Sequence, residues 1–326
     1  MSEIKFYSSE AQSTKSKNAK RITKKISHDV ALAYRTRFGK MYSGLAEDVI
    51  KSRHFNRFHG KVQLIFTSPP FPLNRKKKYG NRRGDDYRNW LASFAPVFKK
   101  LLTPTGSIVI EMGNAWTPKR PVMSTLALET LMDFKKEGDL NLCQMFVAYN
   151  NARLPSPAQW VNIDRTRVKD SFTHIWWLSP SSTPKANNRN VSQPYSKAMR
   201  ALLKTGRYNA GPRPSEHHIG IHSFLKDNGG SIPSNVLIAA NTLSGDQYTS
   251  YCRLQKIPLQ PSRMPKDIPD FFIRFLTEEN DIVLDPFAGS NTTGAVAEML
   301  KRRWISIEPQ IDYVKGSKAR FQSFIK

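Results

Sequence analysis

Apolar residues in this chain fall into short unbroken runs, and the stretches between those runs show helical spacing. Val62-Gln63-Leu64-Ile65-Phe66, Ser107-Ile108-Val109-Ile110, Ile282-Val283-Leu284 and Trp304-Ile305-Ser306-Ile307 each read as a strand covered on both faces. Two further strands are expected at 142–149 and 172–178, flanking the proline-rich loop Arg153-Leu154-Pro155-Ser156-Pro157. Trp90, Leu91, Phe94, Val97, Phe98 and Leu101 recur at helical spacing and predict one helix over 87–102, stopped by Thr103-Pro104-Thr105-Gly106. Shorter helices are expected at 44–50, 269–276 and 294–300. Strand and helix alternating in this way predict an α/β fold built on a doubly wound, mostly parallel sheet.

Two stretches break the pattern. Residues 1–40 carry Lys15, Lys17, Lys20, Arg21, Lys24 and Lys25 among Ser, Thr and Asn, and read as a basic N-terminal arm. Residues 179–255 are rich in Pro, Gly, Asn, Ser and cations with little periodicity, as expected of a loop-rich insertion or small recognition region. The remaining chain divides into 41–178 and 256–326, two parts of one domain.

Composition narrows the function classes. Lys+Arg 51 against Asp+Glu 26 gives a formal charge of +25, which attracts polyanions, nucleic acid first among them. The mean hydropathy of -0.51 and the lack of a long apolar run argue against a membrane protein, and no apolar stretch follows the N-terminal charges as a secretory signal would require. Two cysteines, Cys143 and Cys252, form neither a disulfide framework nor a CxxC metal pair, and His217-His218 lacks the further ligands of a metal site. No metal is expected, and the setting is a reducing cytoplasm.

Two strand-end turns carry the candidate chemistry. The first, Thr67-Ser68-Pro69-Pro70-Phe71, has two prolines that stiffen the backbone and remove two N–H donors, leaving the Ser68 and Pro69 carbonyls free to accept. With the Ser68 hydroxyl, and Phe71 as a ring for a base to stack on, this set fits an exocyclic amine on a planar heterocycle. Acceptors on the amine hydrogens favour a pyramidal nitrogen and aim its lone pair at an incoming carbon. The second turn, Asp285-Pro286-Phe287-Ala288-Gly289-Ser290-Asn291-Thr292-Thr293-Gly294, precedes a helix and offers backbone N–H groups to a polar ligand. It is no P-loop, because Ala295 follows Gly294, and it breaks the GxGxxG fingerprint. Asp285, and Glu308 at the end of the next strand, instead suit ribose hydroxyls or a cation such as a sulfonium.

Taken in this order, the two segments resemble the amino-DNA methyltransferases of restriction–modification systems, in the circularly permuted beta arrangement. Ser-Pro-Pro-Phe is similar to the N4-cytosine branch, whereas the N6-adenine branch usually reads Asp-Pro-Pro-Tyr. The resemblance extends through Gly106–Trp116, Asn151–Pro157, Arg165–Asp170, Trp176-Trp177 and Asn228–Asn235, and covers most of 41–320. It implies a seven-stranded, Rossmann-like methyltransferase sheet in which 41–178 is catalytic, 179–255 recognises the DNA target and 256–326 holds S-adenosylmethionine. Ser68, Pro69, Pro70 and Phe71 are the implied catalytic residues. Phe272, Asp285, Pro286, Phe287, Ala288, Gly289, Ser290, Asn291, Thr292, Thr293 and Glu308 are the implied cofactor contacts. Gln260-Pro261-Ser262-Arg263-Met264-Pro265 departs from the His-Pro-Ala-Arg-Phe-Pro frequent in relatives, which leaves the local cofactor contacts open.

The expected reaction is methyl transfer to N4 of a cytosine flipped out of duplex DNA, protecting a site from a cognate restriction endonuclease. The alternatives are N6-adenine methylation, or DNA binding without catalysis. C5-cytosine chemistry would need a nucleophilic cysteine, and neither Cys143 nor Cys252 follows a proline as such a nucleophile typically does. Arg75, Lys76, Lys77, Lys78 and Arg82 are expected on phosphates, and Arg189, Arg207 and Arg213 in the recognition region on DNA. A monomer or weak dimer in a prokaryotic cytoplasm, associated with the nucleoid, completes the expectation.

Overall fold

The run Val62–Thr67 is buried at every position, and its side chains alternate between two cores, as a strand sandwiched by two helical layers requires. A computed structural model describes residues 31–71, 82–239 and 245–321 of the chain. The first part contains β1 (Ala31–Arg35), β2 (Gly39–Ser43), α1 (Ala46–Lys51), β3 (Val62–Thr67), α2 (Gly84–Ala92), α3 (Ala95–Leu101), β4 (Leu102–Gly113), α4 (Leu126–Gly138), β5 (Asn141–Tyr149) and β6 (Phe172–Ser179). There follow α5 (Lys197–Thr205), β7 (Gly211–Pro212), β8 (His218–Ile219), β9 (Val236–Ile238) and α6 (Gln247–Leu254). The last part holds α7 (Asp267–Leu276), β10 (Ile282–Asp285), α8 (Thr292–Met299), β11 (Arg303–Glu308) and α9 (Ile311–Ser317).

Among the described residues nine strands form the main sheet in the order β1-β2-β11-β10-β3-β4-β6-β5-β9, rather than the seven expected. The seven-stranded body is present from β2 to β5, and β1 and β9 extend its two edges. From β2 to β4 every pairing is parallel, while β6 runs antiparallel to both β4 and β5. On one face α1 to α4 cover Ile65, Ile108, Ile110 and Trp176; on the other α7, α8 and α9 cover Leu64, Phe66, Val109 and Val283.

Three sequence expectations change. Residues 31–40, assigned to the basic arm, enter the sheet as β1 and the start of β2, with Tyr34 packed on Trp304 and Phe321. Residues 1–30 lie outside the described residues. The helix expected over 87–102 is two helices, because Pro96 has no N–H to continue the hydrogen-bond ladder and instead opens α3. The 179–255 region is not wholly separate: β9 pairs with β5, and α6 buries Tyr248, Thr249 and Cys252 against the C-terminal segment.

Crossovers leave β3 toward one face through α2 and α3, and leave β10 toward the other through α8. The carboxyl ends of β3 and β10 therefore flank the point where the winding reverses, which is where open α/β sheets bind ligands.

Candidate active site

Because β3 and β10 pair side by side, their last residues meet across 218 positions of sequence: the Thr67 hydroxyl donates to Asp285 Oδ1 at 2.8 Å. Thr293 donates to the other oxygen at 2.6 Å, and the Phe287 N–H to Oδ1 at 3.1 Å. Burial pushes the Asp285 carboxyl up to about 6 despite these three donors. One strand over, Glu308 accepts from the backbone N–H of Gly289 and of Gln310, each at 2.8 Å. Burial pushes it up to about 7, those two amides oppose the shift, and the nearby Asp285 charge adds to it.

Above this pair runs a cleft lined by Ser68, Gln260, Ser262, Met264, Asp285, Phe287, Ala288, Ser290, Thr292 and Thr293. It joins the catalytic turn to the glycine-containing loop, as the sequence reading expects. Among the described residues no cation lines it, and its chemistry suits a positively charged, hydroxyl-bearing ligand rather than a phosphate. Gln260 sharpens this fit. Its Nε2 donates to the Ser262 carbonyl at 2.8 Å, while its Oε1 is buried with no partner and is free to accept from a ligand donor. Asp285, Phe287, Ala288, Ser290, Thr292 and Thr293 thus line the cleft. Gly289 and Glu308 sit immediately beneath it, and Pro286 is buried in the turn.

Two of the expected cofactor contacts, Phe272 and Asn291, are fully buried. Phe272 has its ring against Phe66, Phe146 and Phe271, so it supports the floor from within the core. Asn291 is also fully buried and holds the loop itself. Its Oδ1 caps α8 by accepting from the Gly294 N–H at 3.1 Å and takes the Ser306 hydroxyl at 2.7 Å, while Nδ2 donates to the Tyr34 hydroxyl at 3.1 Å. Its φ of 57° places it in the left-handed region that asparagine tolerates.

At the acceptor side, Pro69 is buried and Ser68, Pro70 and Phe71 are half-buried. The Phe71 ring lies directly on Gly113, where a Cβ would come within 2.4 Å of it, so only glycine allows this approach at the end of β4. Ser68 is hydrogen-bonded to Glu111, the residue that closes the apolar run of β4. Thr173 donates to Glu111 Oε1 at 2.9 Å. Burial raises the Glu111 carboxyl, against the hydrogen bonds of Thr173 and Ser68 and the charge of Arg153. The sequence reading missed Glu111, although the rule that found Asp285 and Glu308, a carboxylate closing a buried strand, applies to it equally. Gln260 was noted there only as a departure from relatives.

The expected DNA contacts scatter. Arg82 lies over the Trp90 ring, 5.7 Å from its centroid, and Trp90 packs on Phe287 at 5.4 Å, which brings Arg82 to the rim of the cleft. Arg75, Lys76, Lys77 and Lys78 lie outside the described residues. Arg189 lies at the end of the sheet away from the catalytic turn. Its segment bonds Thr105 near the start of β4 and Phe275 near the end of α7, opposite the catalytic turn, because β6 delivers the chain there. Arg207 is exposed after α5, and the Arg213 guanidinium is held by the Asn209 carbonyl beside the β7–β8 ribbon; no hydrogen bond or ion pair ties either to the cleft. Among the described residues no cluster could hold a metal, no helix is long and apolar enough to cross a membrane, and neither cysteine lines the cleft.

Comparison with known proteins agrees with this geometry. A family model described as DNA methylase matches residues 62–319. The type II methyltransferase M.PvuII of Proteus hauseri is 43% identical over 291 residues, spanning 89% of this chain and 85% of its own. The solved structure titled PvuII DNA methyltransferase (cytosine-N4-specific) superposes with a TM-score of 0.71 at 36% identity, over 89% of this chain and 88% of that one. The fold alone is shared with a structure of M1.HpyAVI solved as a SAM complex, at a TM-score of 0.52 and 20% identity over 87% of this chain and 99% of that one. The paired strand-end turns, the cleft between them and these matches lead to one conclusion: the chain belongs to the N6/N4 DNA methylase family.

Proposed function

We propose that this chain methylates the exocyclic N4 of cytosine in duplex DNA, with S-adenosylmethionine as the methyl donor. The observation that carries the reading is the bridge from the Ser68–Glu111 pair to the Asp285 cleft through Thr67, which sets an amine-binding turn against a cation-binding loop.

When bound, the cofactor supplies an electrophilic methyl group on a sulfonium. The residues of this chain do the rest. Glu308, when ionised, accepts the ribose hydroxyls, and the Gln260 Oε1 accepts a donor from the ligand. The Pro69 carbonyl and Ser68 accept the two amine hydrogens and turn the nitrogen lone pair toward the cleft. Phe71 stacks on the flipped base. As the new N–C bond forms and the methyl–sulfur bond breaks to leave a neutral thioether, the amine gives up one proton to the Ser68 oxygen, and Ser68 passes its own to Glu111. A carboxyl raised by burial is a better proton acceptor than an ordinary one. No covalent enzyme intermediate is needed.

The DNA contacts of Arg82, Arg207 and Arg213, and of Arg75, Lys76, Lys77 and Lys78, belong to the same proposal. So do the division at 178 and 255 into catalytic, target-recognition and cofactor-binding parts, a cognate restriction endonuclease as functional counterpart, action as a monomer or weak dimer, and a cytoplasmic, nucleoid-associated setting. Incubation of the purified chain with duplex DNA and methyl-labelled S-adenosylmethionine tests the core of it. Label is expected in acid-precipitable DNA with wild type and not with Ser68→Ala, whereas labelling by Ser68→Ala at the wild-type rate would remove Ser68 from the mechanism.

A further inference from the structure

The loops beyond the carboxyl ends of β4 and β5 carry a surface that the chemistry above does not use. Residues 150–171 are clasped into one unit: the Asn150 N–H donates to the Ser171 carbonyl at 2.8 Å, Lys169 Nζ to the Asn151 carbonyl at 2.7 Å, and the Asp170 N–H to the Ser156 carbonyl at 3.3 Å. This unit is pinned to the active centre. The Asn114 amide holds Asp170 at 2.8 Å, and the Arg153 guanidinium bonds the Phe172 carbonyl at 3.0 Å while its charge acts on Glu111, the partner of Ser68.

Three exposed aliphatic side chains belong to the anchored unit, Leu154, Ile163 and Val168, and the first and last are the most exposed. Leu154 is 81% exposed and Val168 is 86% exposed, and among the described residues no large apolar side chain is more exposed than these two. The unit is rich in cations, with Arg153, Arg165, Arg167 and Lys169 in it and Lys119 and Arg120 in the loop that Arg167 bonds through Pro121. The two acidic residues of the unit are already engaged, Asp164 by the Gln159 amide and Asp170 by Asn114.

Exposed aliphatic side chains on a unit rich in cations, pinned beside an amine-binding turn, match one occupant: duplex DNA, whose phosphates meet the cations and whose base stack receives the aliphatic groups. Proteins that deform duplexes insert apolar side chains between bases in this way. We propose that Leu154 and Val168 form a wedge that enters the stack at the position the target base vacates, with the flanking cations on the neighbouring phosphates. This inference rests on the methyl-transfer reading and adds to it how the base is made to leave the duplex.

The test compares Leu154→Ala, Val168→Ala and the double variant with wild type. The substrates are a fully paired duplex bearing the site found by sequencing DNA methylated by wild type, and the same duplex with the target cytosine mispaired. A mispaired base leaves the stack at little cost and so needs the wedge least. The double variant is expected to methylate the paired duplex about tenfold or more slowly, yet to match wild type on the mispaired duplex within about threefold, with unchanged S-adenosylmethionine affinity. Wild-type rates on the paired duplex, or equal slowing on both substrates, would overturn the wedge. A wild-type chain that methylates neither DNA nor any cytosine analogue contradicts methyl transfer itself, and the wedge falls with it.

Discussion

A serine hydroxyl is by itself neither a useful acid nor a useful base at neutral pH, so the chemistry of Ser68 is set by the buried carboxylate it touches. Glu111 must be ionised to take a proton through Ser68, and burial moves that ionisation above the ordinary carboxylate range. The rate of methyl transfer is therefore expected to rise with pH through the shifted Glu111 ionisation. Glu111→Gln should lower kcat by about a hundredfold or more and abolish this ascending limb, which pre-steady-state rates across pH would show. Glu308 makes a second, separable prediction. Its folded-state value of about 7 lies above the unfolded one, so its contribution to stability is fully present below the unfolded value and is lost as pH rises through 7. Between about pH 5 and pH 8 the ligand-free wild type should lose roughly 3 kcal/mol more stability than Glu308→Gln, as read from denaturant melts at each pH. Cofactor binding should tighten over the same interval, because only the ionised carboxylate accepts both ribose hydroxyls; calorimetry in buffers of different ionisation enthalpy checks this by proton release. The sequence exposed Ser68, Asp285 and Glu308 because each closes or follows a buried strand. It could not expose the Ser68–Glu111 bond, because that bond depends on the register of β3 against β4.

Among the elements, the cofactor loop shows how a site is held without its holders touching the ligand. Asn291 caps α8 and ties the loop to β11 through Ser306 and to β1 through Tyr34, whose hydroxyl also meets Ser317 at 2.7 Å. A second anchor is Arg320, which donates to the Ser290 carbonyl at 2.8 Å and bridges to Asp246, the N-cap of α6, at 3.2 Å. Asn291→Ala is expected to cost about 1–3 kcal/mol by removing a cap and leaving the buried Ser306 hydroxyl without its acceptor, a change that thermal melts would register. Asn291→Gly preserves the left-handed backbone but not the bonds, so it should recover only part of that loss. Central strands were legible because full burial writes itself as an unbroken apolar run. The edge strands β1 and β9 were not, since Ala31–Arg35 and Val236–Ile238 are exposed or half-buried and carry no such signature. Nor was α4, although Ala127, Thr130, Leu131 and Phe134 fall on one face at helical spacing.

The whole molecule combines a formal charge of +25 with a cofactor cleft that no cation lines among the described residues. The separation has a consequence: DNA affinity should be steeply salt-dependent, falling by roughly a thousandfold between about 50 and about 200 mM salt, while cofactor affinity should barely respond. Electrophoretic mobility and calorimetric titrations over that range would separate the two. Arg189 offers a control at this scale. It lies at the end of the sheet away from the catalytic turn, so Arg189→Ala should leave DNA affinity unchanged where Arg82→Ala weakens it several-fold. Sequence alone gave the excess charge but not its location, because the chain after β6 crosses to the opposite end of the sheet before returning through β9. The central claim is that Ser68-Pro69-Pro70-Phe71 directs the methyl group to the amine of cytosine. DNA from cells expressing the chain, digested to nucleosides and resolved by mass spectrometry against standards, tests it most directly. The account predicts N4-methylcytosine, absent when Ser68→Ala is expressed; N6-methyladenine or 5-methylcytosine as the sole new nucleoside would contradict it.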